Sequence, residues 1–339
     1  YTFEDVQSAL PLLKPVRYEE TVTVSEGIEA IFHDCGHVLG SSSIHLRIGK
    51  TGSSNTILFS GDVGRWNRPI LEDPILTEEA DYVVVESTYG DRLHPDHDGI
   101  PKTLAEVVNT TWKAKGNLLI PSFALERTQE VLYYLNNLLR QDLIPHLFVF
   151  VDSPMAVRIT DVFEHHPELF DDEMMKLIRE RKSPFDFPGL SLVKTVDESK
   201  AINHIKGTSV IIAGSGMCTG GRIKHHLVTN ISRPESTILF VGYQAVGTLG
   251  RQILDGAKEV RIMGQYRAVK SKTVQISGFS AHADKDELLR WLSGLNQSPK
   301  HVFVTHGEPE AAKNFAQHLK DEKGWRVSVP NYQDEFVLE

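Results

Sequence analysis

Five short segments of this chain end an apolar run on an acid, a histidine or a glycine. They are His33-Asp34-Cys35-Gly36-His37, Phe59-Ser60-Gly61-Asp62, Val85-Glu86-Ser87-Thr88-Tyr89-Gly90, Phe279-Ser280-Ala281-His282-Ala283-Asp284 and Val304-Thr305-His306-Gly307-Glu308. Neutral imidazoles and carboxylates are the ligands of hydrolytic metals such as zinc or manganese. One carboxylate can set an oxygen on each of two ions, and two ions about 3.5–4 Å apart form a clamp for in-line attack at phosphorus. A single histidine before a glycine is more often structural than ligating. Several at consecutive strand ends are hard to explain that way. The glycine lets the backbone turn at low steric cost, so the preceding side chain can project into a cleft. Fifteen histidines in the chain fit metal or acid–base chemistry.

A second pattern is Gly214-Ser215-Gly216-Met217-Cys218-Thr219-Gly220-Gly221-Arg222, between a predicted strand and a predicted helix. Backbone N–H groups at such a place make an anion site, and Arg222, Lys224, His225 and His226 add positive charge. The same composition suits a plain strand–helix turn, so both readings stand. His33 reads as a strand residue set behind the ligands. His165-His166 before Pro167 reads as a helix end. Cys35 and Cys218 match no metal-binding spacing and read as small packing residues.

These residues need elements to position them. After a short helix over 2–10, the first ninety residues read as β-rich, with strands predicted over 27–32, 43–48, 56–59 and 82–85. From about residue 100, helix and strand alternate. Helices are predicted over 104–114, 125–139, 155–163 and 173–181, and strands over 118–120, 147–151, 210–213, 237–241 and 260–263. That alternation is the βαβ signature of an open α/β sheet. The chain ends with a helix over 285–295, a strand over 301–305, a helix over 310–320 and a strand over 326–329.

The 339 residues suggest two domains. With 40% apolar and 24% charged residues, a disordered or collagen-like chain is excluded. No apolar run approaches the ~18 residues of a membrane span. A formal net charge of −9 argues against a bulk-basic nucleic-acid binder but not against local contact. Two cysteines make no disulfide framework, and no signal peptide is visible, which together point to a cytoplasmic protein.

Taken together, the motifs resemble those of the β-CASP branch of the metallo-β-lactamase fold, the nucleic-acid-processing hydrolases. Gly36-His37-Val38-Leu39-Gly40-Ser41 is similar to the family's third metal motif, and Ser60-Gly61-Asp62-Val63-Gly64 to the fourth. Glu86 in ESTYGDR, His282 in FSAHAD and His306 in VTHGE match motifs A, B and C of the branch. PSFALERTQE (121–130), VDSPMA (151–156) and GSGMCTGGRIKHH (214–226) resemble the inserted domain of prokaryotic members, relatives of the cleavage and polyadenylation specificity factor endonuclease subunit.

The resemblance implies an α/β protein. Residues 1–89 and 278–339 would belong to an αββα metallo-β-lactamase sandwich whose N-terminal part is missing, and residues 90–277 to an inserted β-CASP domain. It implies two zinc ions, or manganese, held partly by His37, Asp62 and His306, with Asp62 bridging. A metal-activated hydroxide would attack an RNA phosphodiester. His282 would contact the scissile phosphate or protonate the leaving oxygen, oriented and kept protonated by Glu86. The anion-site reading of the Gly-rich turn, independent of the resemblance, places Ser215, Gly216, Gly220 and Arg222, and similarly Ser122 and Arg127, to bind substrate phosphate. His306 at motif C favours single-stranded RNA over DNA, where relatives carry an aliphatic residue. A homodimer is also expected, with no membrane contact. The alternatives are a non-catalytic RNA-binding subunit or a DNA nuclease of the same family.

One departure stands out. The family's His-x-His-x-Asp-His motif, which supplies most of the metal ligands, is absent from this sequence. Either the chain is a piece of a longer protein or it is a degenerate relative, and the intact remaining motifs favour the first. His37, Asp62 and His306 alone are too few to hold two ions tightly.

Overall fold

Alternation of apolar residues along short strands, and apolar stripes on the helices between them, divide the chain into two units. The computed structural model describes residues 2–50, 53–94 and 99–339. Unit 1 comprises Tyr1–Trp66, Asp73–Leu93 and His282–Glu339; unit 2 comprises Asn67–Glu72 and His94–Ala281.

Unit 1 is built on one seven-stranded sheet, ordered Thr21–Ser25, Ile28–Asp34, Ser42–Lys50, Ser53–Phe59, Tyr82–Val85, His301–Val304 and Val327–Ser328. The first four strands pair antiparallel and the last four parallel. Period-2 alternation gives the sheet two apolar faces. Leu58, Val83, Val85, Val302 and Val304 pack against Leu288, Trp291 and Leu292 of the helix Lys285–Leu292 and against Ala312, Phe315, Ala316 and Leu319 of the helix Pro309–Lys323. The intervening Ile57, Tyr82, Val84 and Phe303 meet Leu46 and the C-terminal Leu338 on the other face. Asp284 starts the first of these helices with a capping box to Glu287, and Gly324, in the left-handed conformation, ends the second.

Unit 2 carries a six-stranded sheet ordered Lys272–Gln275, Thr237–Phe240, Leu118–Pro121, Ser209–Ala213, Phe148–Val151 and Leu190–Leu192. Every pair is parallel. Its middle strands are buried along their length, as sheets covered on both faces require. The chain leaves Leu118–Pro121 toward Phe148–Val151 on one side but leaves Ser209–Ala213 toward Thr237–Phe240 on the other. Right-handed crossovers then put the two following helices on opposite faces. The order therefore reverses between these two neighbours, where open α/β sheets bind ligands at the strands' carboxyl ends.

One expectation is corrected, and two strands were not foreseen. The strand predicted over 260–263 is not in the parallel sheet. It is Glu259–Ile262, half of a two-stranded antiparallel ribbon with Gln265–Ala268. Met263 and Gly264, both at positive φ (50° and 85°), make the tight turn. Its alternating burial marks a one-sided ribbon. The parallel sheet instead takes Lys272–Gln275, whose polar sequence gave no strand signal. The exposed edge strand Thr21–Ser25 was also not anticipated.

Candidate metal centre

The parallel neighbours Ser53–Phe59, Tyr82–Val85 and His301–Val304 pair Phe59 with Val84 and Val85 with Val304. Their next residues therefore leave the sheet at one edge and carry out Asp62, Glu86 and His306. His37 arrives from the turn after Ile28–Asp34, and His282 is held by a bridge to Gly64 and by the Ala283 N–H donating to the Val63 carbonyl (2.8 Å). All five lie in unit 1.

Asp62 is central. Its Oδ2 lies 3.7 Å from His37 Nε2 and its Oδ1 3.2 Å from His306 Nδ1, so an imidazole faces each carboxylate oxygen. Donor atoms of His37, Asp62 and His282 all lie within 4.8 Å of one another, as do those of Asp62, Glu86 and His306. The His282 ring sits 4.4 Å from that of His37 and 6.1 Å from that of His306, centre to centre.

The surroundings fix this geometry. The Cys35 thiol donates to the Asp62 backbone carbonyl (3.0 Å), and burial pushes that thiol up to about 11, so it stays a neutral donor. The Gly64 N–H donates to the Cys35 carbonyl (2.7 Å). A Cβ on Gly64 would overlap the Gly36 carbonyl, so glycine is what lets the two loops touch. Glu86 is buried and accepts from the N–H groups of Val63 (2.7 Å) and Thr88 (3.2 Å) and from His282 Nδ1 (3.2 Å). Burial pushes its pKa up, but the hydrogen bonds from His282, Thr88 and Val63 outweigh that and hold it below the usual range. An ionised carboxylate only accepts, so His282 Nδ1 carries the hydrogen toward Glu86 and its Nε2 is the nitrogen left for proton exchange.

The donor types fit a hydrolytic metal pair, with a two-oxygen carboxylate flanked by two imidazoles. The shell is partial. Among the described residues each group of donors has three members, whereas zinc takes four ligands. Cys35 was expected only to pack, because a thiol bonded to a backbone carbonyl leaves no spacing signature.

The predicted phosphate-binding residues lie at the carboxyl edge of the unit 2 sheet, and three of them have partners within the unit. Ser122 is buried, donating to the Phe123 carbonyl (3.2 Å) and accepting from Thr128 Oγ1 (3.2 Å). Arg127 is also buried, with Nη1 on the Val241 carbonyl and Nε 3.8 Å from Glu130. Arg222 holds the fully buried Asp152 (2.6 Å) and the Lys194 carbonyl (3.1 Å). These contacts tie the three side chains into the unit, because a buried carboxylate or carbonyl needs a partner. Asp152 also takes His226 Nε2 (2.6 Å) and the Ser199 hydroxyl (2.5 Å), a cluster the sequence did not reveal.

Ser215, Gly216 and Gly220 form the loop itself. Ser215 Oγ accepts from the Gly220 N–H (3.2 Å) and lies 3.1 Å from Thr219 Oγ1. His33 is a strand residue whose Nδ1 pairs with Glu19 (2.7 Å), and His165 closes its helix. Cys218 is buried in the core beneath the loop.

Residues 128–253 match the model of the Beta-Casp domain, and residues 266–330 that of a Zn-dependent metallo-hydrolase RNA specificity domain. Ribonuclease TTHA0252 of Thermus thermophilus is 38% identical over 307 residues, covering 91% of this chain and 69% of that protein. The chain belongs to the β-CASP ribonuclease family of the metallo-β-lactamase fold. Its α/β architecture is that fold with a β-CASP insertion. An RNase J-like protein of Methanocaldococcus jannaschii is 31% identical over 98% of this chain and 75% of its own length. Transcription termination factor FttA of Methanosarcina mazei is 32% identical over 90% of this chain, which spans about half (49%) of that factor. No helix among the described residues is long and apolar enough to cross a membrane.

Proposed function

We propose that this β-CASP protein is a zinc-dependent ribonuclease that cleaves single-stranded RNA. The observation that carries the reading is Asp62, with His37 at one carboxylate oxygen and His306 at the other, beside the Glu86–His282 pair. His37, Asp62 and His306 would hold part of the shell of two zinc ions, or of manganese. Bound there, the ions supply Lewis acidity and an activated water for attack at phosphorus.

The chain's own residues do the rest. Glu86, ionised and buried, accepts from His282 Nδ1 and so fixes the His282 ring. His282 is then placed to hydrogen-bond the scissile phosphate and to give a proton from Nε2 to the leaving oxygen. Cys35 and Gly64 keep Asp62 against His37. The Ser215–Gly220 loop, at the point where the unit 2 strand order reverses, would hold a backbone phosphate. The division of the chain at Leu93 and His282 supports assigning 90–277 to the β-CASP domain and 1–89 with 278–339 to the metallo-β-lactamase domain. A purely RNA-binding role is disfavoured because all five motif residues are present and brought together.

The test is cleavage of labelled single-stranded RNA by the protein expressed from its complete reading frame. Cleavage should stop with chelator and return with zinc or manganese, and RNA left intact under all conditions would overturn the proposal.

A further inference from the structure

We propose that Phe123 is a base-stacking platform for single-stranded RNA, with Tyr243 and Met155 emerging beyond neighbouring strand ends. The proposal rests on the ribonuclease reading and adds to it where a base is bound. Pro121 pairs with Ala213, Val151 with Ile212 and Ile238 with Leu119, so the strand ends of unit 2 are level. Two to four residues beyond them emerge Phe123, Ser215-Gly216, Pro154-Met155 and Gly242-Tyr243, on neighbouring strands about 4.8 Å apart. The row straddles the place where the strand order reverses.

Phe123 is built into this row. Its ring lies over Gly216, where a Cβ would come within 2.8 Å of ring carbons Cδ2 and Cε2. Glycine at 216 therefore seats one side of the ring on backbone, and Gly216 is itself buried beneath it. Phe123 nonetheless stays 43% exposed, as does Tyr243, and Met155 is 66% exposed. A backed aromatic surface with further apolar groups alongside suits a flat, uncharged base, and every base has a π-face. Lys224, reaching the Thr219 carbonyl (3.4 Å) at the rim of the Ser215–Gly220 loop, adds the cation that a nucleic-acid strand needs beside a stacking ring. Aromatic rings that take splayed bases are the usual way single-stranded RNA is gripped.

The experiment is equilibrium binding of a fluorescein-labelled single-stranded RNA of about 12 nucleotides, in EDTA at one salt concentration. The protein is expressed from its complete reading frame as wild type, Phe123→Ala and Phe123→Trp. A matched series of RNAs carries one abasic position each. Phe123→Ala should weaken binding about 5- to 100-fold, the loss expected for one stacked base, while Phe123→Trp retains it. One abasic position should weaken wild-type binding by a similar factor and leave Phe123→Ala unchanged. Phe123→Ala binding within about twofold of wild type, or abasic effects that are the same in both proteins, overturns the platform. The abasic series on wild type reads the contact without any substitution. Wild-type protein that binds and cleaves RNA while Phe123→Ala is unaffected removes the platform alone. Wild type that neither binds nor cleaves RNA removes the ribonuclease reading with it.

Discussion

At the scale of the residue, the centre depends on two carboxylates with different tasks. Asp62 presents both oxygens to imidazoles, while Glu86 is buried and turned toward His282. His282→Ala should lower kcat for RNA cleavage by about 10²–10⁴, the usual worth of a positioned acid, with RNA binding little changed. Cleavage at the wild-type rate would show that His282 transfers no proton. These residues were legible in the sequence because each follows an apolar run and precedes or sits beside a small residue that frees its side chain. The Asp152 cluster was not legible, since its partners His226 and Arg222 are joined to it only by the fold. Burial pushes the Asp152 pKa up, but hydrogen bonds from His226, Ser199 and Arg222 outweigh that and hold it below its ordinary 3.8. A depressed carboxylate pKa stabilises the fold above the unfolded-state value, and that contribution is lost as pH falls through the folded-state value. Asp152→Asn should therefore cost about 3–5 kcal/mol at neutral pH, as expected on breaking a buried pair. The gap from wild type should shrink below about pH 4. Urea unfolding of both proteins from pH 7 down to pH 3 checks this, and a gap that is constant with pH contradicts it.

At the scale of the element, the site is a consequence of register. Three neighbouring parallel strands end level, so one edge of the sheet gathers side chains from positions 62, 86 and 306. The contact between the loops at Gly36 and Gly64 then closes the set. Gly64→Ala should destabilise unit 1 by about 1–3 kcal/mol, as overpacking does. It should also move Asp62 away from His37 and so lower zinc affinity. Thermal unfolding and zinc titration read the two effects separately, and wild-type behaviour in both would show that the loops have slack. Strands rich in Val, Ile and Leu were legible, as at Tyr82–Val85 and Thr237–Phe240. The polar Lys272–Gln275 was not, because its place in the sheet is set by its neighbour and not by its own pattern. The ribbon at Glu259–Ile262 misled for the converse reason. Its apolar residues bury one side only, which a short window cannot tell from a core strand.

At the scale of the whole molecule, the histidines describe function better than the net charge of −9 does. Acidic residues at a cation site and on the surface leave room for local RNA contact. Each group of donors among the described residues has three members, one short of a four-ligand zinc shell. Elemental analysis of the 339-residue chain after dialysis should find fewer than two retained zinc ions, and two tightly held ions per chain would contradict this reading of the donor set. The most direct test of the central claim is RNA cleavage by the protein from its complete reading frame, wild type against Asp62→Asn, with metal removed and then restored. Cleavage by wild type should depend on metal, and Asp62→Asn should be slower by several orders of magnitude. Cleavage that persists without metal, or in Asp62→Asn at the wild-type rate, would contradict it.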